Sequence, residues 1–156
     1  MKTFILAIST GLGFGYLRPA PGTWGTLAGV FLLLILQSIS PFSYLVTVAG
    51  LFFLGAWAAG AAEIILNQVD SPHIVIDEIV GLLVTMFMVP VTFWNVIWAF
   101  FLFRFFDIIK FWPARAIDRA QAGGIGVMAD DLAAAVYANV CLQLLCHWGW
   151  FGCGWK

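Results

Sequence analysis

Charged side chains are scarce in this sequence, which has eight acidic and seven basic residues among 156. The formal net charge of -1 provides no basic surface, so we expect no nucleic-acid partner. Cysteine and histidine are also few, with three and two copies. Their positions do not have the spacing of zinc ligands, which excludes the common zinc-binding modules.

Apolar residues make up 63% of the chain, and the mean hydropathy is +1.00. This composition lies outside the range of soluble globular proteins. The second and fifth apolar runs reach the roughly 20 residues that a membrane-spanning helix needs, and the shorter ones leave re-entrant helices open. We therefore predict an all-α integral membrane helical bundle of four to five short transmembrane or re-entrant helices, forming one membrane-embedded domain over residues 1–156. The five apolar runs cover residues 25–38, 42–67, 74–89, 91–106 and 130–151.

The charged residues collect on one side of this predicted bundle. With five crossings, six of the seven basic residues lie on the same side and only Lys156 lies on the other. The excess of lysine and arginine predicts that the crowded side is cytoplasmic. The turns around Pro41 and Pro90, on the opposite side, carry no charge. We expect the polar helix ends to form one face.

Seven of the eight acidic residues occur in three short clusters at the ends of apolar runs. A carboxylate costs roughly 2.5–3.5 kcal/mol at the centre of a bilayer, so grouped carboxylates indicate a bound cation. Carboxylate oxygens without cysteine or clustered histidine favour Mg²⁺, or Mn²⁺, over zinc. The clusters are Glu63 with Asp70, Asp77 and Glu78, then Asp107, then Asp130 and Asp131.

Two of these clusters contain adjacent acids. Asp77 and Glu78 point roughly 100° apart on a helix, so we expect at most one of them to aim directly into a shared site. Asp130 and Asp131 are predicted to open the last helix, where one of them would serve as the N-cap.

Two other segments could bind an anion. Residues 11–26 combine glycines, prolines and Arg18 before a predicted helix, whose free N–H groups could bind phosphate together with the hydroxyls of Thr23 and Thr26. The alternative is a structural turn in which Thr23 caps the helix. Arg104 and Lys110 flank Asp107 at helical spacing, which is consistent with phosphate contacts beside a metal or with simple ion pairs.

Four motifs in this order resemble the bacterial phosphatidylglycerophosphatase A family, and they extend over residues 13–131. They fit no phosphatase that depends on a Cys-x5-Arg loop, an Asp-x-Asp-x-Thr motif or paired histidines. The motifs are Gly13-Phe-Gly with Ala20-Pro-Gly-Thr-Trp-Gly25, then Ile76-Asp-Glu-Ile-Val-Gly81, then Phe103-Arg-Phe-Phe-Asp-Ile-Ile-Lys110 with Trp112-Pro113, then Gly124-Ile-Gly-Val-Met-Ala-Asp-Asp131.

The resemblance implies a magnesium-dependent enzyme, in the bacterial cytoplasmic (inner) membrane, with its active site on the cytoplasmic face. Its substrate would be a phospholipid, phosphatidylglycerol phosphate, which loses its terminal phosphate. Glu78, Asp107 and Asp77 would be catalytic, with Glu78 as the general base, and one or two metal ions would take part. The implied metal ligands are Asp77, Asp107 and Asp131, completed by Glu78, Asp130, Asp70 or Glu63. The implied phosphate contacts are Arg104, Lys110, Thr23, Thr26 and Arg18.

Two other functions are compatible with parts of the sequence. A CDP-alcohol phosphotransferase also binds metal through aspartates near an Ala-Arg pair, which Asp107 and Ala114-Arg115 match only loosely. A small cation transporter or channel subunit would place acids along a path through the membrane. Such a path predicts acids near mid-span and on both faces, whereas here they crowd one end. Oligomeric state and the choice between water attack and an aspartyl-phosphate route stay open.

Overall fold

The computed structural model describes residues 1–109 and 123–149, and this part of the chain contains helices and no strand. The predicted all-α bundle is confirmed. A short 3-10 helix, Phe14–Tyr16, lies between the first two α-helices. The α-helices are α1 (Lys2–Ser9), α2 (Pro21–Leu36), α3 (Pro41–Leu66), α4 (Ile76–Thr85), α5 (Phe93–Ile109) and α6 (Gly124–His147).

The longest helices, α3 and α6, have 26 and 24 residues and are long and apolar enough to cross a membrane. They correspond to the second and fifth apolar runs, as the sequence predicts. α3 begins at Pro41, which suits the first helical position because it needs no N–H partner there. Ser40 caps this helix by accepting a hydrogen bond from the amide of Ser43.

Helix α4 is shorter than the apolar run that contains it. The helix ends at Thr85, whereas the run continues to residue 89. Ten residues rise only about 15 Å, half the thickness of a hydrocarbon core. Asn139 of α6 makes this early end possible, since its side-chain amide donates to the carbonyls of Thr85 (2.8 Å) and Phe87 (2.9 Å). α4 packs against α2, α3, α5 and α6, and is therefore the centre of the bundle.

Helix α6 begins six residues before the predicted position, so the expectation that Asp130 or Asp131 caps it is wrong. The cap is Gly123, whose positive φ of 94° favours glycine. Gly124 then packs directly on the backbone of α3, where a side chain would overlap the carbonyl of Ala56. Close contact between the two backbones therefore starts the helix early, and the two aspartates lie about two turns inside it.

The polar ends of four helices meet at one end of the bundle. Consecutive helices from α2 to α6 run in alternating directions, because the turns after α2 and after α4 lie together at the far end of the bundle. As a result the N-terminal ends of α2, α4 and α6 and the C-terminal end of α5 all contribute residues to one pocket. This arrangement agrees with the predicted single polar face and positions the candidate site.

Candidate active site

The pocket at the polar end has a volume of about 260 Å³ and contains six of the eight acidic residues of the sequence. Among the described residues, Arg104 is the cation that lines it. The lining residues are Pro21, Gly22, Asp70, Ser71, Pro72, Ile74, Asp77, Glu78, Arg104, Asp107, Val127, Asp130 and Asp131.

Three carboxylates form the centre of this pocket. Asp77, Glu78 and Asp131 each present an oxygen such that the three oxygens lie within 4.8 Å of one another. Asp77 and Glu78 belong to the first turn of α4, and Asp77 Oδ1 accepts the Glu78 amide hydrogen (3.0 Å). Both side chains line the pocket, although their spacing predicts that only one would aim into it. Asp130 lies beside them and Asp130 Oδ1 accepts the amide hydrogen of Asp131 (3.0 Å).

Burial makes this group of carboxylates costly in its charged form. Asp131 is only 5% exposed. Glu78 and Asp77 lie on α4, which is too short to cross a membrane. Burial, reinforced by the charges of Asp131 and Asp107, raises the pKa of Glu78 to about 7. Burial and the neighbouring charge of Glu78 likewise raise the pKa of Asp77 well above its ordinary value. A bound cation would relieve this cost.

Two buried oxygen atoms are available for such a cation or for a water beside it. Glu78 Oε2 and Asp131 Oδ2 have no hydrogen-bond partner within residues 1–109 and 123–149. Unsatisfied buried carboxylate oxygens are unfavourable unless a ligand completes them. The donor set consists of hard oxygens, which Mg²⁺ and Mn²⁺ prefer. The residues present therefore fit a divalent cation.

Arg104 connects α5 to this centre. Its Nη1 lies 2.7 Å from Asp107 Oδ2, one turn further along α5, and 3.6 Å from Glu78 Oε1 on α4. The ion pair between Arg104 and Asp107 is one of those that their helical spacing predicts. The guanidinium is thereby fixed beside the carboxylates, where it could contact an anionic group held by them.

The N-terminal end of α2 closes the pocket on another side. Pro21 has no N–H, and the Gly22 amide has no acceptor among the described residues, so this helix end presents one free donor. A side chain at position 22 would overlap Glu78 Oε1 and approach Arg104 Nη1 to 2.9 Å. Glycine is therefore what allows α2 to approach these two side chains. This position lies in the glycine-rich segment of residues 11–26, whose helix N–H groups are predicted to bind phosphate, but the sequence does not single out Gly22 and does not indicate Ser71.

Glu63 has a different environment from the other acids. It is buried at the last turn of α3 and does not line the pocket. Its Oε1 accepts the amide hydrogen of Asp70 (2.8 Å), whose φ of 50° belongs to the left-handed region. Asp70 itself is exposed at the rim of the pocket. Glu63 thus holds the backbone of the loop that carries Asp70.

The predicted phosphate contacts are distributed unevenly. The Thr26 hydroxyl is buried and donates to the Gly22 carbonyl (2.8 Å) inside α2. Thr23 is in the first turn of α2 and Arg18 is exposed, and neither lines the pocket. Lys110 lies outside the described residues. Of the predicted contacts that the structure describes, it brings only Arg104 to the pocket.

Comparison with known proteins identifies relatives over nearly the whole chain. A model of the family described as "PgpA: Phosphatidylglycerophosphatase A" matches residues 7–146. A phosphatidylglycerophosphatase A from Haemophilus influenzae is 38% identical over 90% of this chain and 88% of its own length. One from Escherichia coli is 30% identical over 90% of this chain and 82% of its own.

A protein from Bacteroides thetaiotaomicron named putative phosphatidylinositol-3-phosphatase is also 38% identical, over 88% of this chain and 90% of its own length. No solved structure gives a significant match. The family match and the identities agree with the resemblance that the motifs indicate. The chain belongs to the phosphatidylglycerophosphatase A family, and with it to the phosphoric monoester hydrolases.

Proposed function

We propose that this protein hydrolyses the terminal phosphomonoester of phosphatidylglycerol phosphate, in a reaction that depends on Mg²⁺ or Mn²⁺. The observation that carries this proposal is the group of carboxylates Asp77, Glu78 and Asp131, within 4.8 Å of one another and beside Arg104. The names of the Haemophilus and Escherichia relatives support the substrate.

In this proposal Asp77 and Asp131 would hold the cation, and Asp107 and Asp130 would add negative charge around it. A divalent cation in such a site neutralises phosphoryl oxygens and lowers the pKa of water. Arg104 binds the phosphate. Its ion pair with Asp107 holds the guanidinium in position for this contact. The free amide of Gly22 provides a further donor to a phosphate oxygen.

Glu78 is the carboxylate that we assign as general base. Its Oε2 has no hydrogen-bond partner in the described part of the chain and can take a proton from the attacking water, while Oε1 faces Arg104. Attack forms a new bond from water oxygen to phosphorus and breaks the bond from phosphorus to the glycerol oxygen. The products are inorganic phosphate and the lipid alcohol, whose oxygen takes up a proton.

The same proposal places the protein in the bacterial cytoplasmic membrane as a multi-pass protein, with the pocket on the cytoplasmic face. The lengths and composition of α3 and α6 support membrane insertion. The uneven distribution of lysine and arginine supports the orientation. A substrate in the cytoplasmic leaflet would then present its phosphate at the level of the carboxylates.

A second substrate has support from one relative. The Bacteroides protein is as similar in identity as the Haemophilus protein, and its printed name refers to a phosphoinositide. Phosphatidylinositol 3-phosphate and phosphatidylglycerol phosphate both attach a phosphomonoester to a polyol headgroup. The pocket chemistry described here suits either, so both belong in the assay.

The test is phosphate release by the purified protein in detergent micelles, with each lipid, in Mg²⁺, in Mn²⁺ and with chelator. We expect release from phosphatidylglycerol phosphate that chelator stops, and we expect Asp107→Asn to lose it while folding and inserting normally. Folded protein that releases no phosphate in any divalent cation would contradict the proposal and favour the transport alternative.

A further inference from the structure

A second cavity, of about 560 Å³, is lined by residues from the first four helices, further along α2 than the carboxylate pocket. α1 packs against α3 while α2 packs against α4, and the cavity is the groove left between these pairs, with Ile76 and Ile79 of α4 contributing to its wall. Every lining residue is apolar. They are Ala7, Ile8, Gly11, Leu12, Phe14, Ala28, Phe31, Leu32, Ile35, Leu51, Leu54, Ile76 and Ile79.

The groove has a defined direction relative to the pocket. Ile76 lines the groove and the next residue, Asp77, lines the pocket, so one end of the groove begins near the depth of the carboxylates. Along α2 the groove extends from Ala28 to Ile35, about 10 Å further from the polar end. It therefore runs away from the pocket in the direction that an acyl chain takes below its headgroup.

The groove is open on its outer side and offers only apolar contacts. Phe31 and Ile35 are 61% and 73% exposed, and Leu12 at the polar end is 86% exposed. Because none of the described residues that line it has a charged or hydrogen-bonding side chain, a polar ligand would lose its own hydrogen bonds there. The volume falls within the range of small-molecule sites. A hydrocarbon chain is the ligand whose chemistry matches.

We propose that this groove binds one acyl chain of the lipid phosphate whose headgroup enters the carboxylate pocket. The inference rests on the proposed function, and it adds where the apolar part of the substrate is held. The two cavities share no lining residue among those that the structure describes, and α2 packs closely on the residue before α4, where Gly25 meets Val75. The headgroup therefore passes over the N-terminal end of α2, beside Gly22, to link them.

We expect the groove to affect the position of the substrate's phosphate more than the affinity of the protein for the lipid. Bilayer or detergent tails are as apolar as its side chains, so moving a chain from them into the groove yields little hydrophobic free energy. A chain that lies in the groove nevertheless aligns the phosphate with the carboxylates before reaction. We therefore expect the groove to favour long-chain substrates over short-chain ones.

The test compares Ala28→Phe, which fills the groove, with Ala49→Phe on the exposed face of α3 outside it. Each variant is assayed with a long-chain lipid phosphate and with its dihexanoyl analogue. We expect Ala28→Phe to lower kcat/KM for the long-chain lipid about tenfold and to leave the dihexanoyl value unchanged, and Ala49→Phe to change neither. Equal values for the two alanine variants, or equal loss on both lipids at an unchanged melting temperature, would overturn the inference.

A second measurement needs no catalysis. A lipid phosphate with a diazirine in its acyl chain is photolysed in micelles with wild-type protein, and the labelled residues are mapped by mass spectrometry. We expect label at Phe31 and Ile35 that excess long-chain lipid phosphate displaces and phosphatidylcholine does not. Equal displacement by both lipids, or no label in the groove, would overturn the inference. Absence of hydrolysis with this selective labelling would instead refute the proposed function alone.

Discussion

Arg104 Nη1 lies 2.7 Å from Asp107 Oδ2, one turn further along α5. The same nitrogen is 3.6 Å from Glu78 Oε1 on α4, so this guanidinium joins two helices at the pocket. Arg104 and Asp107 are three residues apart in the sequence, whereas Glu78 belongs to a separate segment. These two contacts fix a cation beside the carboxylates.

Replacing Arg104 by Lys tests whether this cation binds phosphate. Lysine retains the charge but lacks the planar fork that can hold Asp107 and a phosphate together. A charge-assisted hydrogen bond contributes about 1.5–3 kcal/mol, which corresponds to a loss in kcat/KM of roughly tenfold to a hundredfold. Steady-state phosphate release measures it. An Arg104→Lys enzyme with wild-type kcat/KM would mean that Arg104 serves only the fold.

Replacing Asp131 by Asn tests whether its carboxylate belongs to the cation site. Because its Oδ2 is buried and no described residue hydrogen-bonds to it, Asp131→Asn should raise the Mg²⁺ concentration for half-maximal activity at least about tenfold. Asp70→Asn is the matched control, since it makes the same change at an exposed residue on the rim. The readout is activity over a Mg²⁺ titration. Identical titrations for wild type and Asp131→Asn would remove Asp131 from the cation site.

Glu63 could hold the loop that carries Asp70 or bind the metal directly, and the sequence alone does not distinguish these two roles. If Glu63 holds the loop by accepting the Asp70 amide hydrogen, Glu63→Gln retains activity because the Gln carbonyl oxygen can still accept it. Glu63→Ala removes the acceptor and should lower kcat. If Glu63 bound the metal directly, both variants would raise the Mg²⁺ requirement. Parallel Mg²⁺ titrations of the two variants decide between these roles.

The extent of what the sequence predicts differs between elements for physical reasons. The long helices α3 and α6 are apparent from apolar runs, and the grouping of acids follows from the cost of placing charge in a membrane. The length of α4 is not local information, since it depends on the amide of Asn139, more than 50 residues away. The early start of α6 depends on Gly124, which reads as a loop glycine but packs on the backbone of α3.

In the candidate site, too, some features are predicted by the sequence and others depend on the fold. Residue types and order identify the acids and Arg104, because their chemistry is carried by the side chains themselves. The glycine-rich segment of residues 11–26 is predicted to bind phosphate, but that Gly22 is the glycine at the pocket appears only where the helix end meets Glu78. The distinction between Glu63 and the other acids depends on where α3 ends. Burial and the path of the chain determine these details, and neither is encoded in spacing.

Gly22 provides a further test, because the pocket has no room for a side chain there. Gly22→Ala should displace the Glu78 carboxylate and the Arg104 guanidinium, and a displacement of about 1 Å can cost on the order of a hundredfold in rate. Gly50→Ala is the control, since position 50 faces open space on α3. Phosphate release by both variants is compared at equal melting temperatures. Equal activities would mean that the approach of α2 to these side chains has no part in catalysis.

The early end of α4 rests on Asn139, and this gives a prediction about stability. Asn139→Leu keeps a similar side-chain size but leaves the carbonyl of Thr85 without its side-chain donor, and that of Phe87 with only the longer 3.5 Å contact from Gln143 Nε2, at a cost of about 1–3 kcal/mol. Gln37→Leu removes an amide that donates to an exposed carbonyl, that of Leu34, so water can replace it and the effect should be small. Thermal unfolding in detergent should therefore show a clearly lower melting temperature for Asn139→Leu alone. Similar melting temperatures for the two variants would mean that water already reaches the end of α4, and that this end lies at an aqueous surface of the bundle.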